Sequence, residues 1–131
     1  MAISVPDVGE NLILEMIVNK TAAQNLVLKL YSSNTTPAES DTAVTYTESA
    51  FIGYSAATLT GASWGAASGG SIAYAQQTFT CSGAGSENCY GYFVVQTSSG
   101  TLVYSERGTG VPFPITTIGD NVKVTPTITA S

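Results

Sequence analysis

Histidine is absent from this chain of 131 residues. The side chain that most often acts as a general base at neutral pH, and that most often binds metals, is therefore missing. The same absence argues against a serine hydrolase of the usual triad type. The two cysteines have no histidine or further cysteine with which to complete a tetrahedral zinc site. The sequence thus predicts no catalytic residue, no metal site and no cofactor site, and a protein that is not an enzyme.

Carboxylates are the remaining candidates for catalysis, because a pair of them can hydrolyse glycosides. Most occur in turn-like or capping contexts, which favour solvated or backbone-bonded carboxylates: Glu10, Glu39, Asp41, Glu87 and Asp120. Glu106 beside Arg107 is the most site-like feature. Adjacent residues of a strand point to opposite faces, however, so these two side chains are not expected to act together.

Charge is scarce, at 10% of the chain against about 25% in typical soluble proteins. Nine carboxylates outnumber the four cations, and the formal net charge is −5. The cations are Lys20, Lys29, Arg107 and Lys123. Nucleic acid and anionic membranes both require clustered cations, so neither is a predicted partner. The polar surface must instead consist of neutral side chains, which lose less on leaving water than charged ones do. Much of this surface could be covered by neighbouring proteins.

Long hydrophobic runs are missing as well. The longest, from Leu12 to Val18, is interrupted by Glu15 and is far shorter than the ~20 residues that span a bilayer. No Lys or Arg precedes it, and Asp7 and Glu10 lie where a secretory signal has its basic region. We therefore expect synthesis in the cytoplasm.

Cys81 and Cys89 flank the flexible segment SGAGSEN. A disulfide across this loop would contribute roughly 2 to 3 kcal/mol in the chain-entropy model. Free thiols are the alternative, and a reducing cytosol favours them.

Turn-forming residues divide the chain into short runs rich in Val, Ile, Thr, Tyr and Phe. This pattern predicts a mainly β, single-domain fold over residues 1–131, an antiparallel β-sandwich or open barrel of six or more strands. The clearest strands are 25–31, 101–107 and 121–129, the last with Pro126 at a sheet edge or bulge. The segment 61–71 is Gly, Ala and Ser apart from Trp64, and we expect a flexible loop there.

The N-terminus is the exception to the β pattern. Asp7 and Glu10 resemble a capping box, so a short helix from about Val8 to Asn19 is expected after an N-terminal arm of residues 1–7. Apolar residues almost encircle this helix. Such a helix must lie in the core or meet another chain.

Several long strings resemble a known family. They cover nearly the whole chain from GENLILEMIVNKTA onward and include NTTPAESDTA, TESAFIGYSAATLTGASW, YAQQTF, YGYFVVQTSSGTLVYSER and GDNVKVTPTIT. The chain resembles the head decoration, or cement, proteins of tailed bacteriophages, which are small β-rich virion proteins. Cys81 and Cys89 depart from the small polar residues expected in that loop, and no functional residue is carried over.

The resemblance implies a protein on the exterior of the capsid, made in the host cytoplasm. Its partner would be the major capsid protein of a tailed phage, whose neighbouring subunits it clamps together, and it could also self-associate. The expected contact surface comprises Ala2–Val8, the exposed part of the helix and the loop tip at Ser63 and Trp64; its named interface residues are Val5, Pro6, Met16 and Trp64. Replacing an exposed Trp64 with alanine should lower capsid occupancy without changing the thermal midpoint.

Two alternatives stay open. The first is another virion part with a β body, such as a tail tube, tail completion or fibre-base subunit. The second is a carbohydrate-binding module that stacks sugars on Tyr90, Tyr92 and Phe93.

Overall fold

The computed structural model describes residues 3–130. One α-helix, α1 (Asp7–Ile17), lies near the N-terminus of a mainly β fold, as predicted. The strands that follow are β1 (Leu26–Tyr31), β2 (Ala57–Leu59), β3 (Ser71–Ala73), β4 (Gln77–Thr80), β5 (Glu87–Cys89), β6 (Gly91–Gln96), β7 (Leu102–Arg107), β8 (Phe113–Ile115), β9 (Asn121–Val124) and β10 (Thr127–Thr129). Among residues 3–130 no helix is long and apolar enough to cross a membrane.

The largest sheet has the strand order β2-β1-β6-β7, and all neighbouring strands are antiparallel. β1 pairs with β6 from Leu26 opposite Gln96 to Tyr31 opposite Gly91. β7 is an outer strand whose register against β6 shifts at a bulge. The other strands form three two-stranded ribbons, β3 with β10, β4 with β9, and β5 with β8. Within residues 3–130 the sheets form no closed barrel.

The four-stranded sheet is buried on both faces, and every residue of β6 is buried. Because side chains alternate along a strand, Leu28 and Leu30 enter one core and Tyr31 the other. The larger core combines sheet residues with side chains from the ribbons. The smaller core contains Tyr31, Tyr46, Phe93, Val95 and Leu102. The exposed large apolar side chains therefore lie on the helix and loops: Leu14, Ile17, Val18, Val44, Ile52 and Ile118.

The helix starts one residue earlier than predicted and has a different cap. Pro6 is the N-cap residue, and no side chain caps the helix, so the predicted capping box is wrong. Asp7 is instead the first helical residue, and its backbone N–H donates to the Glu39 carbonyl at 2.9 Å. The helix ends at Ile17 rather than Asn19, because Asn19 adopts a left-handed conformation with φ of 58°.

The predicted N-terminal arm is attached to the body over its described part, while Met1 and Ala2 lie outside the described residues. Ser4 forms a bridge with Ser105 of β7, with backbone N–H to carbonyl distances of 2.8 and 2.9 Å. Pro6 is fully buried. The arm thus covers part of the outer edge of β7 and positions the start of α1.

Pro126 divides the predicted strand 121–129 in two. β9 pairs with β4, whereas β10 pairs with β3. Proline has no amide hydrogen to donate to a ladder, and its carbonyl here accepts from the Tyr74 N–H at 2.8 Å. The chain passes from one ribbon to another at this residue, so the prediction of one continuous strand is wrong.

Segment 61–71 has more regular structure than its composition predicts. Gly61–Ser63 form a 3-10 turn. Ser68 then bridges to Ser71 across Gly69 and Gly70, whose φ angles of 58° and 77° are both positive, as in a type I′ turn. Glycine adopts these angles without steric cost, so the segment closes a hairpin rather than a featureless loop.

Candidate docking groove

An open groove of about 860 Å³ lies between the helix and the C-terminal strand. One wall is α1, with Ile13, Leu14 and Met16. Val103 and Tyr104 of β7 also line it, as do Trp64 and Ile128. The remaining lining residues are Val5, Glu10, Ala23, Gln24, Leu26, Thr129 and Ala130. The groove is therefore mainly apolar, with few polar groups, which is typical of binding sites in proteins.

The close approach of α1 to β7 sets the geometry of the groove. Gly9 faces β7, and Leu12, one turn further on, is buried in the larger core. A β-carbon on Gly9 would overlap the Val103 carbonyl oxygen and lie 3.1 Å from that of Leu102. Both contacts are to backbone atoms, which cannot rotate away as a side chain can. Only glycine therefore fits at this position of the helix.

Gly9→Ala is expected to lower the free energy of unfolding by about 2 kcal/mol, because overpacking against backbone outweighs the gain in helix propensity. Chemical denaturation measures this loss. Asn11→Ala is the matched control, since Asn11 is exposed on the same helix and the substitution changes propensity without overlap. An increase in stability for Gly9→Ala would contradict the close packing of α1 on β7.

The helix carries apolar side chains that the domain itself leaves in water. Leu14, Ile17 and Val18 are 62%, 74% and 71% exposed, and Leu14 lines the groove. The sequence predicts that this helix is buried all round or meets another chain. The domain buries the helix at Leu12 and leaves these three residues exposed, so only their side of the helix could meet another chain. Leu14 and the groove form one continuous apolar surface.

Within the described part of the chain, the groove lining contains one charged side chain, the carboxylate of Glu10. Further along the helix, Glu15 pairs with Lys20 at 3.3 Å and accepts from the Thr21 hydroxyl at 2.8 Å. These contacts, led by the Thr21 hydrogen bond, lower the pKa of Glu15. Glu10 forms no salt bridge within residues 3–130. The described lining therefore carries one negative charge and no positive charge.

Tyr104 is a buried member of the groove lining, with an exposed fraction of 1%. Its hydroxyl has no hydrogen-bond partner among residues 3–130. Burial raises the pKa of this phenol. A buried hydroxyl without a partner costs about 1 to 3 kcal/mol, so this side chain lowers the stability of the free domain.

The predicted interface residues separate into two groups. Val5, Met16 and Trp64 all line the groove, so the structure brings three of the four together. Pro6 is fully buried and cannot offer its side chain to a partner. Sequence reasoning missed Glu10 and Tyr104 as groove residues, and no spacing in the sequence relates α1 to β7 or β10.

Trp64 is not the exposed anchor that the sequence predicts. Its ring is half-buried, packs against the larger core and lies 5.3 Å edge-on from the Tyr74 ring. Alanine at this position would remove core contacts, so the predicted unchanged thermal midpoint for Trp64→Ala does not fit the structure. Met16 is likewise half-buried against the core.

Cys81 and Cys89 are free, buried thiols. The Cys81 thiol donates to the Gly83 carbonyl at 2.9 Å, and burial raises the pKa of Cys89 to about 11. Both side chains belong to the larger core. Of the two alternatives left open by the sequence, the structure has the free thiols.

The aromatic residues of β6 form no shared sugar platform. Tyr92 and Phe93 are buried on opposite faces of the sheet, in different cores. Tyr90 is half-buried, with the Arg107 guanidinium 5.4 Å from its ring centre. These three side chains cannot stack on one ligand, which removes the sequence feature that suggested carbohydrate binding.

Glu106 and Arg107 point to different partners, as their adjacency in a strand predicts. Glu106 accepts from the Tyr92 hydroxyl at 3.1 Å, whereas Arg107 donates to the Thr35 carbonyl at 2.9 Å. Within residues 3–130 no group of three or more His, Cys, Asp or Glu side chains could hold a metal ion. The groove, at about 860 Å³, is larger than a second cavity of about 450 Å³ whose lining includes Glu106 and Lys123.

No model of a known protein family matches this chain, and no curated protein matches it.

Proposed function

We propose that this domain is a non-catalytic structural protein of a tailed bacteriophage that binds the outside of the assembled head. In this role it clamps neighbouring major capsid subunits and uses the groove, with the adjoining face of α1, as its docking surface. The sequence resemblance supports a phage head as the partner, and the apolar groove supports this docking surface.

The observation that carries the proposal is the continuous apolar surface formed by the groove and Leu14. Leu14 lies beside Ile13 and Met16, which also line the groove. Fully burying a side chain such as leucine contributes about 1.5 to 3 kcal/mol. A few buried anchors of this kind supply most of the affinity of a typical interface. Only 10% of the residues of this chain are charged. Covering the apolar groove with a partner protein lowers the free energy, because apolar surface is removed from water.

The rest of the surface fits attachment to a protein shell. Its polar groups are largely hydroxyls and amides, which lose less on leaving water than charged groups do. Docking through an apolar centre surrounded by neutral polar groups matches the usual anatomy of a protein interface.

Cosedimentation with empty phage heads that lack the domain tests the proposal. We expect saturable binding with a copy number that matches the symmetry of the shell, and decorated heads that resist heating better than bare ones. Absence of binding to heads would contradict the proposal. The same assay with purified tails would then test the alternative of a tail subunit, for which ring or trimer formation in isolation is a further sign.

A further inference from the structure

We propose that the groove accepts an extended, apolar and positively charged segment of the partner protein, which pairs with the outer edge of β10. This proposal rests on the proposed function, since it takes the groove as the docking site. Two independent features carry it: the outer edge of β10 and the carboxylate of Glu10.

The outer edge of β10 offers backbone groups for pairing. β10 pairs with β3 through Ile128 opposite Ile72, and the flanking bonds join Tyr74 N–H to the Pro126 carbonyl and Ala130 N–H to the Gly70 carbonyl, both at 2.8 Å. In an antiparallel ladder, alternate residues point their backbone groups to opposite edges. Those of Thr127 and Thr129 therefore point away from β3, and they have no backbone partner within residues 3–130. Thr129 also lines the groove.

An exposed strand edge of this kind can bind an extended peptide by adding a strand. Main-chain hydrogen bonds then supply affinity, and alternate side chains of the peptide enter the neighbouring pocket. The groove beside β10 is lined by Leu14, Val103 and Ile128, so the side chains that enter it must be apolar.

Charge decides between another protein and a second copy of this chain. Among residues 3–130, Glu10 is the only charged residue of the groove lining, and the chain has a net charge of −5. A second copy would bring the same negative charge to the same place. A segment with Lys or Arg would instead complement Glu10, and complementary charge also favours rapid association.

Synthetic peptides test the proposal without phage heads. The cationic probe is a short peptide in which valine alternates with lysine and threonine. The anionic probe has glutamate in place of lysine. The third probe is the cationic peptide with N-methyl groups on the backbone amides of the edge that faces β10. Each is titrated into the domain and followed by two-dimensional amide NMR. We expect the cationic probe to shift signals of Val103, Tyr104 and Thr127–Ala130, and to bind at least about tenfold more tightly than the N-methylated probe.

One variant tests the contributing charge. Glu10→Gln should weaken the cationic probe about threefold, and Glu39→Gln, an exposed acid outside the groove, should not.

The proposal is overturned if the cationic and anionic probes bind equally, if N-methylation has no effect, or if no probe binds. It is also overturned if the domain forms a dimer in sedimentation equilibrium that Leu14→Glu dissociates, since a second copy would then occupy the groove. Binding of the domain to heads without binding of any probe would leave the proposed function intact and remove this proposal. The predicted pattern of probe binding without any binding to heads would support this proposal and contradict the proposed function.

Discussion

Replacing Leu14 with glutamate is expected to weaken binding to phage heads by at least about 100-fold while the domain stays folded. Leu14 is mostly exposed in the free domain and lines the groove. Docking would lose the burial of a leucine and would place an unpaired carboxylate against apolar surface; the two effects together exceed about 2.7 kcal/mol. Glutamate is a good helix former, so the thermal midpoint of the free domain should change little.

Val44→Glu is the matched control for this prediction. Val44 is 93% exposed, lies in the 3-10 turn Ala43–Thr45 and is not part of the groove lining. It introduces the same charge at another apolar surface position, and we expect wild-type copy numbers in cosedimentation. Equal loss by both variants would show that the added charge alone opposes binding. Wild-type binding by Leu14→Glu would place the docking surface elsewhere.

The fold class could be predicted from the sequence because local signals and burial agree. Leu26, Leu28 and Leu30 alternate with more polar positions and form β1, while the apolar run after Asp7 forms the helix. Both patterns follow directly from the period of the backbone.

Strand pairing could not be predicted in the same way. Val122 and Ile128 have the same alternation, yet Pro126 sends them to different ribbons. Alternation reports which face is buried but not which strand lies alongside. The type I′ turn at Gly69 and Gly70 could not be predicted either, because the surrounding segment consists almost entirely of small residues.

The groove was partly predictable. The sequence predicts Val5, Met16 and Trp64 as contact residues, and these three residues line one surface. The exposure of these side chains is harder to predict, because an apolar residue can either anchor a partner or be buried in its own domain. Pro6 is buried, and Trp64 packs against the larger core. The lack of a hydrogen-bond partner for the Tyr104 hydroxyl among residues 3–130 is visible only in the three-dimensional structure.

The domain is expected to unfold cooperatively between about pH 10 and pH 12. Four tyrosines are almost fully buried, and burial raises the pKa of each, that of Tyr31 to about 12 from an ordinary value of 10.0. The four are Tyr31, Tyr46, Tyr92 and Tyr104. Above pH 10 the unfolded chain releases phenol protons that the folded chain retains, so rising pH favours unfolding. Each phenol contributes at most about 1.4 kcal/mol per pH unit, and together they approach the whole stability of a typical domain, about 5 to 15 kcal/mol.

Far-ultraviolet circular dichroism and the absorbance of phenolate, recorded across the same alkaline titration, measure this transition. We expect both signals to change together and to recover on return to neutral pH. Tyr104→Phe should move the midpoint to higher pH, because it removes a buried ionisable group without removing a hydrogen bond. Tyr46→Phe removes hydrogen bonds to Asp41 and Ser105, at 2.6 and 2.8 Å, and should lower stability at neutral pH instead. Gradual phenolate formation near pH 10 with intact secondary structure would show that water reaches these phenols in the folded domain.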